Sequence, residues 1–135
     1  MKYLLDTNIC VFFLRGKFHL NEILQEKGIN NCCVSGITVL ELRFGAENGA
    51  NKEKLHKDLD AFVNGITVIP ISGLEKRYAT EKVRLRKMGK PMHDEFDLLI
   101  GVSAVENRLT LVTDNVKDFQ NIEGIKIENW VRKHS

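Results

Sequence analysis

The stretch MKYLLDTN, residues 1–8, ends a short apolar run on a charged residue, Asp6. The run before Asp6 has the length of a buried strand, and the residues after it change to helical spacing. A strand that only fills a protein interior does not need a carboxylate at its end. The position of Asp6 therefore indicates a functional site if other acids in the chain follow predicted strands in the same way.

Short apolar runs, mostly rich in β-branched residues, predict five strands, at residues 2–5, 32–34, 66–71, 110–112 and 125–127. Helical spacing predicts six helices between them, at residues 9–14, 20–27, 37–47, 52–63, 74–88 and 96–105. Strands that alternate with helices form βαβ units. We therefore predict an α/β fold of three layers, in which helices cover both faces of a mostly parallel sheet of about five strands.

Length and composition indicate a globular chain. The 135 residues fit one domain spanning 1–135, and 43% hydrophobic with 28% charged residues is ordinary for a soluble protein. A net charge of +2 is too small to indicate nucleic-acid binding by itself. We expect neither a signal peptide nor a membrane span. Three cysteines, two of them adjacent, fit neither a disulfide framework nor a zinc site, which favours a reducing cytoplasm.

A second acid lies within an apolar helix pattern. In ITVLELRFG, residues 37–45, Ile37, Leu40, Glu41 and Phe44 share one face of a helix. Apolar residues cover much of the remaining surface, so we predict a helix buried nearly all round. A buried carboxylate costs several kcal/mol unless it is paired, protonated or bound to a metal, by the usual magnitudes for buried ions. Glu41 therefore needs a partner.

Two further acids have similar positions. In HDEFDLLIGVSAVEN, residues 93–107, Asp97 falls in the first turn of a helix, where the helix dipole favours an ionised group, and Asp94 is a candidate N-cap. In LTLVTDNVKDF, residues 109–119, a strand ends on Asp114 as the first strand ends on Asp6. The pattern at Asp6 is therefore repeated.

The strand order 3-2-1-4-5 brings these acids together. Strands 1 and 4 are then neighbours at the point where the strand order reverses, which is where open parallel sheets bind ligands. Four carboxylates at one edge repel each other unless a cation lies between them. All-oxygen ligands favour Mg²⁺ or Mn²⁺, which can hold a phosphodiester and activate water. The residues thus predict metal-assisted phosphodiester hydrolysis.

An ordered set of motifs covers almost the whole chain: LLDTN (4–8), TVLEL (38–42), FDLLIGVSA (96–104), LVTDNVKDF (111–119) and IEGIKIENW (122–130). This set resembles the PIN-domain ribonucleases, specifically the VapC toxins of bacterial toxin–antitoxin pairs. The resemblance implies a Mg²⁺- or Mn²⁺-dependent endoribonuclease that forms homodimers. It also implies inhibition by a VapB-like antitoxin whose carboxyl-terminal segment lies over the active site.

Carried across by motif, the resemblance assigns the four acids to Asp6, Glu41, Asp97 and Asp114. The fourth position varies within the family, so Asn115 and Asp118 stay open as alternatives to Asp114. Polar positions that orient the acids are matched by Asn8 and Thr113, with Asn115 beside them.

A basic segment at residues 75–90 contains seven Lys and Arg residues against two acids. It fits either a solvated helix face or, in a nuclease, a set of phosphate contacts. The candidate RNA contacts are Arg43, Arg84, Arg86 and Lys87.

Other interpretations exist for each feature. Asp6 and Asp94 fit helix caps, and Asp114 fits a turn. A haloacid-dehalogenase-type phosphatase needs a second Asp two residues after the first, where this chain has Asn8. A receiver domain needs adjacent acids early in the chain, and LLDTN contains one. A nuclease outside a toxin–antitoxin pair, or a binding module without catalysis, remains as an alternative.

Overall fold

The computed structural model describes residues 1–131 and contains five strands and seven α-helices. The strands are β1 (Tyr3–Leu5), β2 (Cys32–Ser35), β3 (Thr67–Ile69), β4 (Thr110–Val112) and β5 (Lys126–Glu128). The helices are α1 (Thr7–Leu14), α2 (Leu20–Lys27), α3 (Gly36–Glu47), α4 (Lys52–Asn64), α5 (Glu75–Lys87), α6 (Glu95–Glu106) and α7 (Val116–Phe119). All five predicted strands and six predicted helices are confirmed, and the sequence missed the four-residue helix α7 and a 3-10 turn at Ile29–Asn31.

The strands form one parallel sheet in the order β3-β2-β1-β4-β5, so the predicted order is confirmed. The central strand β1 pairs with β2 through Leu4 and Cys33, and with β4 through Leu4 and Leu111. Because β1 and β4 are neighbours although far apart in the chain, the strand order reverses between them. This reversal lies where the first and last parts of the chain meet.

Helices pack on both faces of the sheet, which confirms the three layers. Leu5 belongs to a buried cluster with side chains of α1 to α4, whereas Leu4 belongs to a second cluster with side chains of α5 to α7. Both residues are fully buried. Neighbouring residues of a strand point to opposite faces, so a sheet covered on both sides needs continuous apolar strands.

Helix α3 differs from the prediction. Leu40 is 56% exposed and Phe44 is 73% exposed, so Ile37 is the one apolar residue of the expected stripe that is buried. The other buried residues of α3 are Thr38, Leu42 and Ala46, which lie on a different side of the helix. The helix packs on α1 and α4 through this other side, and Glu41 is only partly buried. The prediction that α3 is buried nearly all round was wrong because an apolar residue pattern does not specify which apolar side meets a neighbour.

Side chains near the ends of two strands begin the helices that follow. Asp6 caps α1 by accepting a hydrogen bond from Thr7 N at 2.8 Å, and Ser35 caps α3 by accepting one from Ile37 N at 3.0 Å. Asp94 caps α6 through Asp97 N at 3.1 Å and Phe96 N at 3.0 Å. The predicted caps at Asp6 and Asp94 are therefore confirmed.

The three cysteines, Cys10, Cys32 and Cys33, are free thiols buried in the core. Within residues 1–131, no helix has the length and apolar character that a membrane crossing requires.

Close packing of α6 leads to a prediction for Gly101. A Cβ at this position would overlap Ile122 Cδ1 and lie 3.3 Å from Phe119 Cδ1, and both neighbours are buried. We expect Gly101→Ala to lower the free energy of unfolding by about 1 kcal/mol, because overpacking by about 1–3 kcal/mol exceeds the helix propensity that alanine adds. Urea denaturation measures this change.

Gly45→Ala on α3 is the matched control, because among residues 1–131 no atom other than the nearby backbone of α3 and the adjacent residues lies within 4 Å of a Cβ placed there. It should stabilise the chain by about 0.5–1 kcal/mol through helix propensity alone. Equal effects of the two substitutions would contradict the close packing of α6.

Candidate active site

The candidate site lies at the carboxyl edge of the sheet, where the strand order reverses between β1 and β4. Asp6 directly follows β1, and Thr113 and Asp114 directly follow β4. The backbone N–H of Asp6 donates to Val112 O at 2.9 Å, which extends the pairing of the two strands to this edge. Residues more than a hundred positions apart in the sequence are therefore adjacent.

Asp6 is held from two sides and is only 3% exposed. Its Oδ1 accepts a hydrogen bond from Thr7 N, and its Oδ2 accepts one from Thr113 Oγ1, both at 2.8 Å. Burial raises the pKa of Asp6 to about 6, the two hydrogen bonds oppose this change, and the charges of Glu41 and Asp114 add to it. The protein thus fixes a carboxylate whose ionised form is disfavoured.

Thr113 connects the loop after β4 to Asp6 through hydrogen bonds. It is fully buried, and its Oγ1 accepts a hydrogen bond from Asn115 N at 3.0 Å while donating to Asp6. The sequence selected Thr113 and Asn115 as supporting polar residues, and the structure places both in this chain of hydrogen bonds. The contact of Asn115 comes from its backbone.

Glu41 reaches the site from α3, next to α1. Its Oε1 accepts a hydrogen bond from Thr7 Oγ1 at 2.6 Å, and Thr7 Oγ1 lies 3.0 Å from Thr38 Oγ1. Partial exposure and a hydroxyl partner replace the fully buried carboxylate expected from the sequence. Sequence reasoning missed Thr7 and Thr38, although each occurs within a motif that contains one of the acids.

Asp97 lies in the first turn of α6, as predicted, and is partly exposed. Burial, with smaller contributions from the charges of Asp6, Asp94, Glu41 and Asp118, raises its pKa to about 7. It lines a groove of about 550 Å³ whose charged and titratable side chains are Lys90, His93, Asp94, Asp97, Lys117 and Asp118. The charge of Asp97 is thus coupled to acids from several elements.

The two acidic candidates for the fourth position, Asp114 and Asp118, each affect the pKa of another acid of the site. Asp114 raises the pKa of Asp6, whereas Asp118 raises that of Asp97 and lines the same groove. Asp6 is in turn electrostatically linked to Glu41, Asp97 and Asp114. The choice for the fourth position stays open among Asp114, Asn115 and Asp118.

The carboxylate oxygens are suitable ligands for a hard cation, but their present arrangement does not form a complete metal-binding site. Within residues 1–131, no group of three or more His, Cys, Asp or Glu side chains is placed so that it could hold an ion as it stands. All candidate donors are carboxylates, and like charges raise the pKa of Asp6 and Asp97. Glu41 and Asp97 are partly exposed and can change rotamer, whereas Asp6 is fixed by its hydrogen bonds.

The predicted RNA contacts fall into two groups. Arg43 is paired with Asp60, and its Nη1 lies 3.1 Å from His56 Nδ1, so it links α3 to α4. Arg84 is also paired within the fold. In contrast, Arg86 and Lys87 are exposed at the end of α5, and the ion pairs among residues 1–131 include neither of them.

Arg84 is held by the fold itself. It donates to Glu81 Oε1 at 2.9 Å and to Asn121 O at 2.7 Å, and Glu81 also accepts from Glu123 N at 3.0 Å. Glu81 is 6% exposed. Arg84 therefore fastens α5 to the turn after α7. The cationic side chains that line the groove beside Asp97 are those of Lys90 and Lys117. The sequence analysis did not identify Lys117 as a candidate.

Asn8, a predicted supporting polar residue, is exposed in the first turn of α1.

Comparison with known proteins agrees with this fold. Residues 3–125 match the PIN domain family. The chain therefore belongs to the PIN-domain family. Within it, the chain belongs with the VapC ribonucleases: it is 34% identical to Ribonuclease VapC2 of Rickettsia felis, covering 96% of this chain and 98% of that protein. It is 31% identical to the tRNA(fMet)-specific endonuclease VapC of Salmonella typhimurium, over 96% and 98% of the two chains.

Solved structures give the same result. A DNA-bound VapBC complex from Salmonella typhimurium contains a chain that superposes with a TM-score of 0.89 at 30% identity, covering 96% of this chain and 98% of that one. In the VapBC2 complex from Rickettsia felis bound to a promoter fragment, the TM-score is 0.88 at 32% identity, with 96% and 99% covered. The recognition of the family from its motifs is confirmed.

The raised pKa of Asp97 predicts how the stability of the metal-free protein depends on pH. The folded-state pKa is about 7 and the unfolded value is near 3.8, so the folded state binds more protons between these values. Stability therefore falls as pH rises through this window. Asp97→Asn should be more stable than the parent at pH 8 and nearly equal to it at pH 4. The expected gain is about 1–2 kcal/mol, after discounting for partial exposure.

Urea unfolding in EDTA at pH 4, 6 and 8 measures this difference. Glu53→Gln, which removes an exposed charge near the start of α4, is the control and should follow the parent at every pH. An Asp97→Asn curve parallel to the parent curve would show that the acids do not destabilise one another.

Proposed function

We propose that this chain is a metal-dependent endoribonuclease that acts as the toxin of a toxin–antitoxin pair. The observation that carries this proposal is the electrostatic coupling of Glu41, Asp97 and Asp114 to the buried Asp6, in a chain that belongs with the VapC ribonucleases. These carboxylates come from two helices, α3 and α6, and from the ends of β1 and β4, and the hydrogen bonds to Asp6 come from Thr7 and Thr113. A ribonuclease fits this arrangement because a hard divalent cation held by carboxylates can promote cleavage of an RNA phosphodiester.

The residues have distinct proposed roles. Asp6, Glu41, Asp97 and Asp114 would hold Mg²⁺ or Mn²⁺, with Asp118 as the alternative fourth acid. When bound, such an ion polarises the phosphoryl oxygen and lowers the pKa of a water molecule. Thr113 and the N–H of Thr7 keep both oxygens of Asp6 in place. Asn8 and Asn115 are proposed as further polar groups at the edge of this set.

RNA would approach the acids along the groove that Asp97 lines. Lys90 and Lys117 lie in this groove, and Arg86 and Lys87 continue the exposed basic surface at the end of α5. Exposed cations can bind phosphates without giving up another contact. Arg43 and Arg84 are weaker candidates, because each already makes ion pairs within the fold.

The proposed partner is a VapB-like antitoxin. An apolar pocket of about 160 Å³ lies between α1, α3 and α4, and Glu41 is part of its wall. Its apolar lining is Val11, Leu14, Leu42, Ala46, Leu55 and Leu59, and the charged side chains of Arg15 and Asp58 also line it. An apolar side chain of the antitoxin bound there would bring the following segment over the acids. The exposed Leu40 and Phe44 lie on the same helix as Glu41 and extend the apolar surface.

The same proposal covers the state of the protein in the cell. We infer that residues 1–135 act as one PIN domain, that the chain forms a homodimer, and that it works in the cytoplasm. The three free cysteines support a reducing compartment.

Loss of either central acid should abolish RNA cleavage. We expect Asp6→Asn and Asp97→Asn to lower the cleavage rate by at least about 100-fold, because each removes a charge from the proposed cation site. EDTA should abolish cleavage by the parent, and added Mg²⁺ or Mn²⁺ should restore it. A gel assay with a mixed RNA pool measures both effects.

Glu53→Gln is the control for this assay and should cleave at the parental rate. Cleavage by rigorously chelated protein would exclude the metal. A fully active Asp97→Asn variant would exclude the assigned site.

Antitoxin binding should depend on the apolar pocket. Leu55, 39% exposed, lines the pocket, and Val83, 38% exposed, lies on α5 outside it. We expect Leu55→Asp to weaken binding of the antitoxin by at least about tenfold while cleavage is unchanged, because a charge would enter an apolar contact. Val83→Asp should bind as the parent does.

The candidate antitoxin is the product of a short reading frame next to this gene, and calorimetry with the purified pair measures binding. Equal affinity of Leu55→Asp and Val83→Asp would place the antitoxin elsewhere.

A further inference from the structure

Thr7 contacts two of the candidate metal-binding acids at once. Its backbone N–H donates to Asp6 Oδ1 at 2.8 Å, and its hydroxyl donates to Glu41 Oε1 at 2.6 Å. We propose that Thr7 is a positioning residue that sets the carboxylate of Glu41 relative to that of Asp6, and that Thr38 orients the hydroxyl of Thr7. This inference rests on the proposed nuclease function.

The direction of the hydrogen bonds follows from proton counting. A threonine hydroxyl has one proton, and the carboxylate of Glu41 can only accept, so the proton of Thr7 points to Glu41. Thr7 must then be the acceptor in its contact with Thr38, whose oxygen lies 3.0 Å away. The result is a chain in which Thr38 donates to Thr7 and Thr7 donates to Glu41.

The ends of this chain differ in mobility. Thr38 is fully buried in the first turn of α3, whereas Glu41 is partly exposed and has a long side chain. Fixing such a long side chain costs rotamer entropy. The bond from Thr7 offsets this cost before any ligand arrives. One oxygen of Glu41 is engaged by Thr7, and the other has no hydrogen bond among those of residues 1–131.

The position of Thr7 explains why one residue can contact both Asp6 and Glu41. It is the first residue of α1, directly after the buried Asp6, and α1 packs beside α3. A change in the spacing of α1 and α3 would move Glu41 and Asp6 together through Thr7. The metal-binding geometry is thus linked to the packing of these two helices.

The test compares Thr7→Val, which removes the hydroxyl but keeps the shape, with Thr7→Ser, which keeps the hydroxyl. Mn²⁺ alone is titrated into each full chain by calorimetry, and RNA cleavage and thermal unfolding are measured in parallel. We expect Thr7→Val to weaken Mn²⁺ binding by about tenfold and to lower kcat by a similar factor, with KM for RNA unchanged. Thr7→Ser should stay within about threefold of the parent for both.

Several outcomes overturn the proposal. Mn²⁺ binding by Thr7→Val at the parental affinity would show that the hydroxyl does not position Glu41. Equal losses in Thr7→Val, which keeps the methyl group, and Thr7→Ser, which keeps the hydroxyl, would assign the effect to general disturbance of the packing around Thr7 and not to the hydroxyl. If Thr7→Val does not fold, Thr38→Val tests the same chain: about threefold weaker Mn²⁺ binding supports it, and unchanged binding contradicts it.

Failure of the proposed function gives a different result. If the parent binds Mn²⁺ but cleaves no RNA, the nuclease assignment fails, while the effect of Thr7 on Mn²⁺ affinity still tests the positioning role.

Discussion

The structure depends on one buried carboxylate at the end of the central strand. Asp6 is fixed by the N–H of Thr7 on one side and by the hydroxyl of Thr113 on the other. These donors belong to the beginning and the end of the chain, so the carboxylate joins β1 to β4 at the reversal of strand order. Burial raises the pKa of Asp6, and the site therefore keeps a charge that the fold by itself disfavours.

The distribution of cations shows that this charge is left uncompensated. Helix α5 is strongly basic, yet Arg77, Lys82 and Arg84 pair with Glu106, Glu95 and Glu81. These ion pairs connect α5 to α6 and fix its own turns, whereas neither Asp6 nor Asp97 has an ion pair among residues 1–131. A protein that used every charge for stability would pair Asp97 with a cation. Lys90 and Lys117 line the same groove as Asp97, yet among residues 1–131 neither forms an ion pair with it, which fits a site that binds a charged ligand.

Much of the fold could be predicted from the sequence, because apolar period and strand alternation are local signals. The strand order was adopted as one that places the acids at the ends of β1 and β4 side by side, and the sheet has this order. The prediction failed at α3, where Leu40 and Phe44 face outward, since a residue pattern cannot tell a core from an interface. Two contacts could not be predicted because they depend on tertiary packing. They are the hydrogen bond from Arg84 to Asn121 O, 37 residues away, and the contact of Thr7 with Glu41.

Burial of the three thiols determines how they respond to oxidants. Burial raises the pKa of Cys10, and it raises the pKa of Cys32 and Cys33 to about 11. Peroxide attacks the thiolate, and these side chains are neither ionised at cellular pH nor accessible from outside. Peroxide concentrations that modify reactive cysteines in other proteins should therefore leave the thiols of Cys10, Cys32 and Cys33 unchanged while this chain is folded.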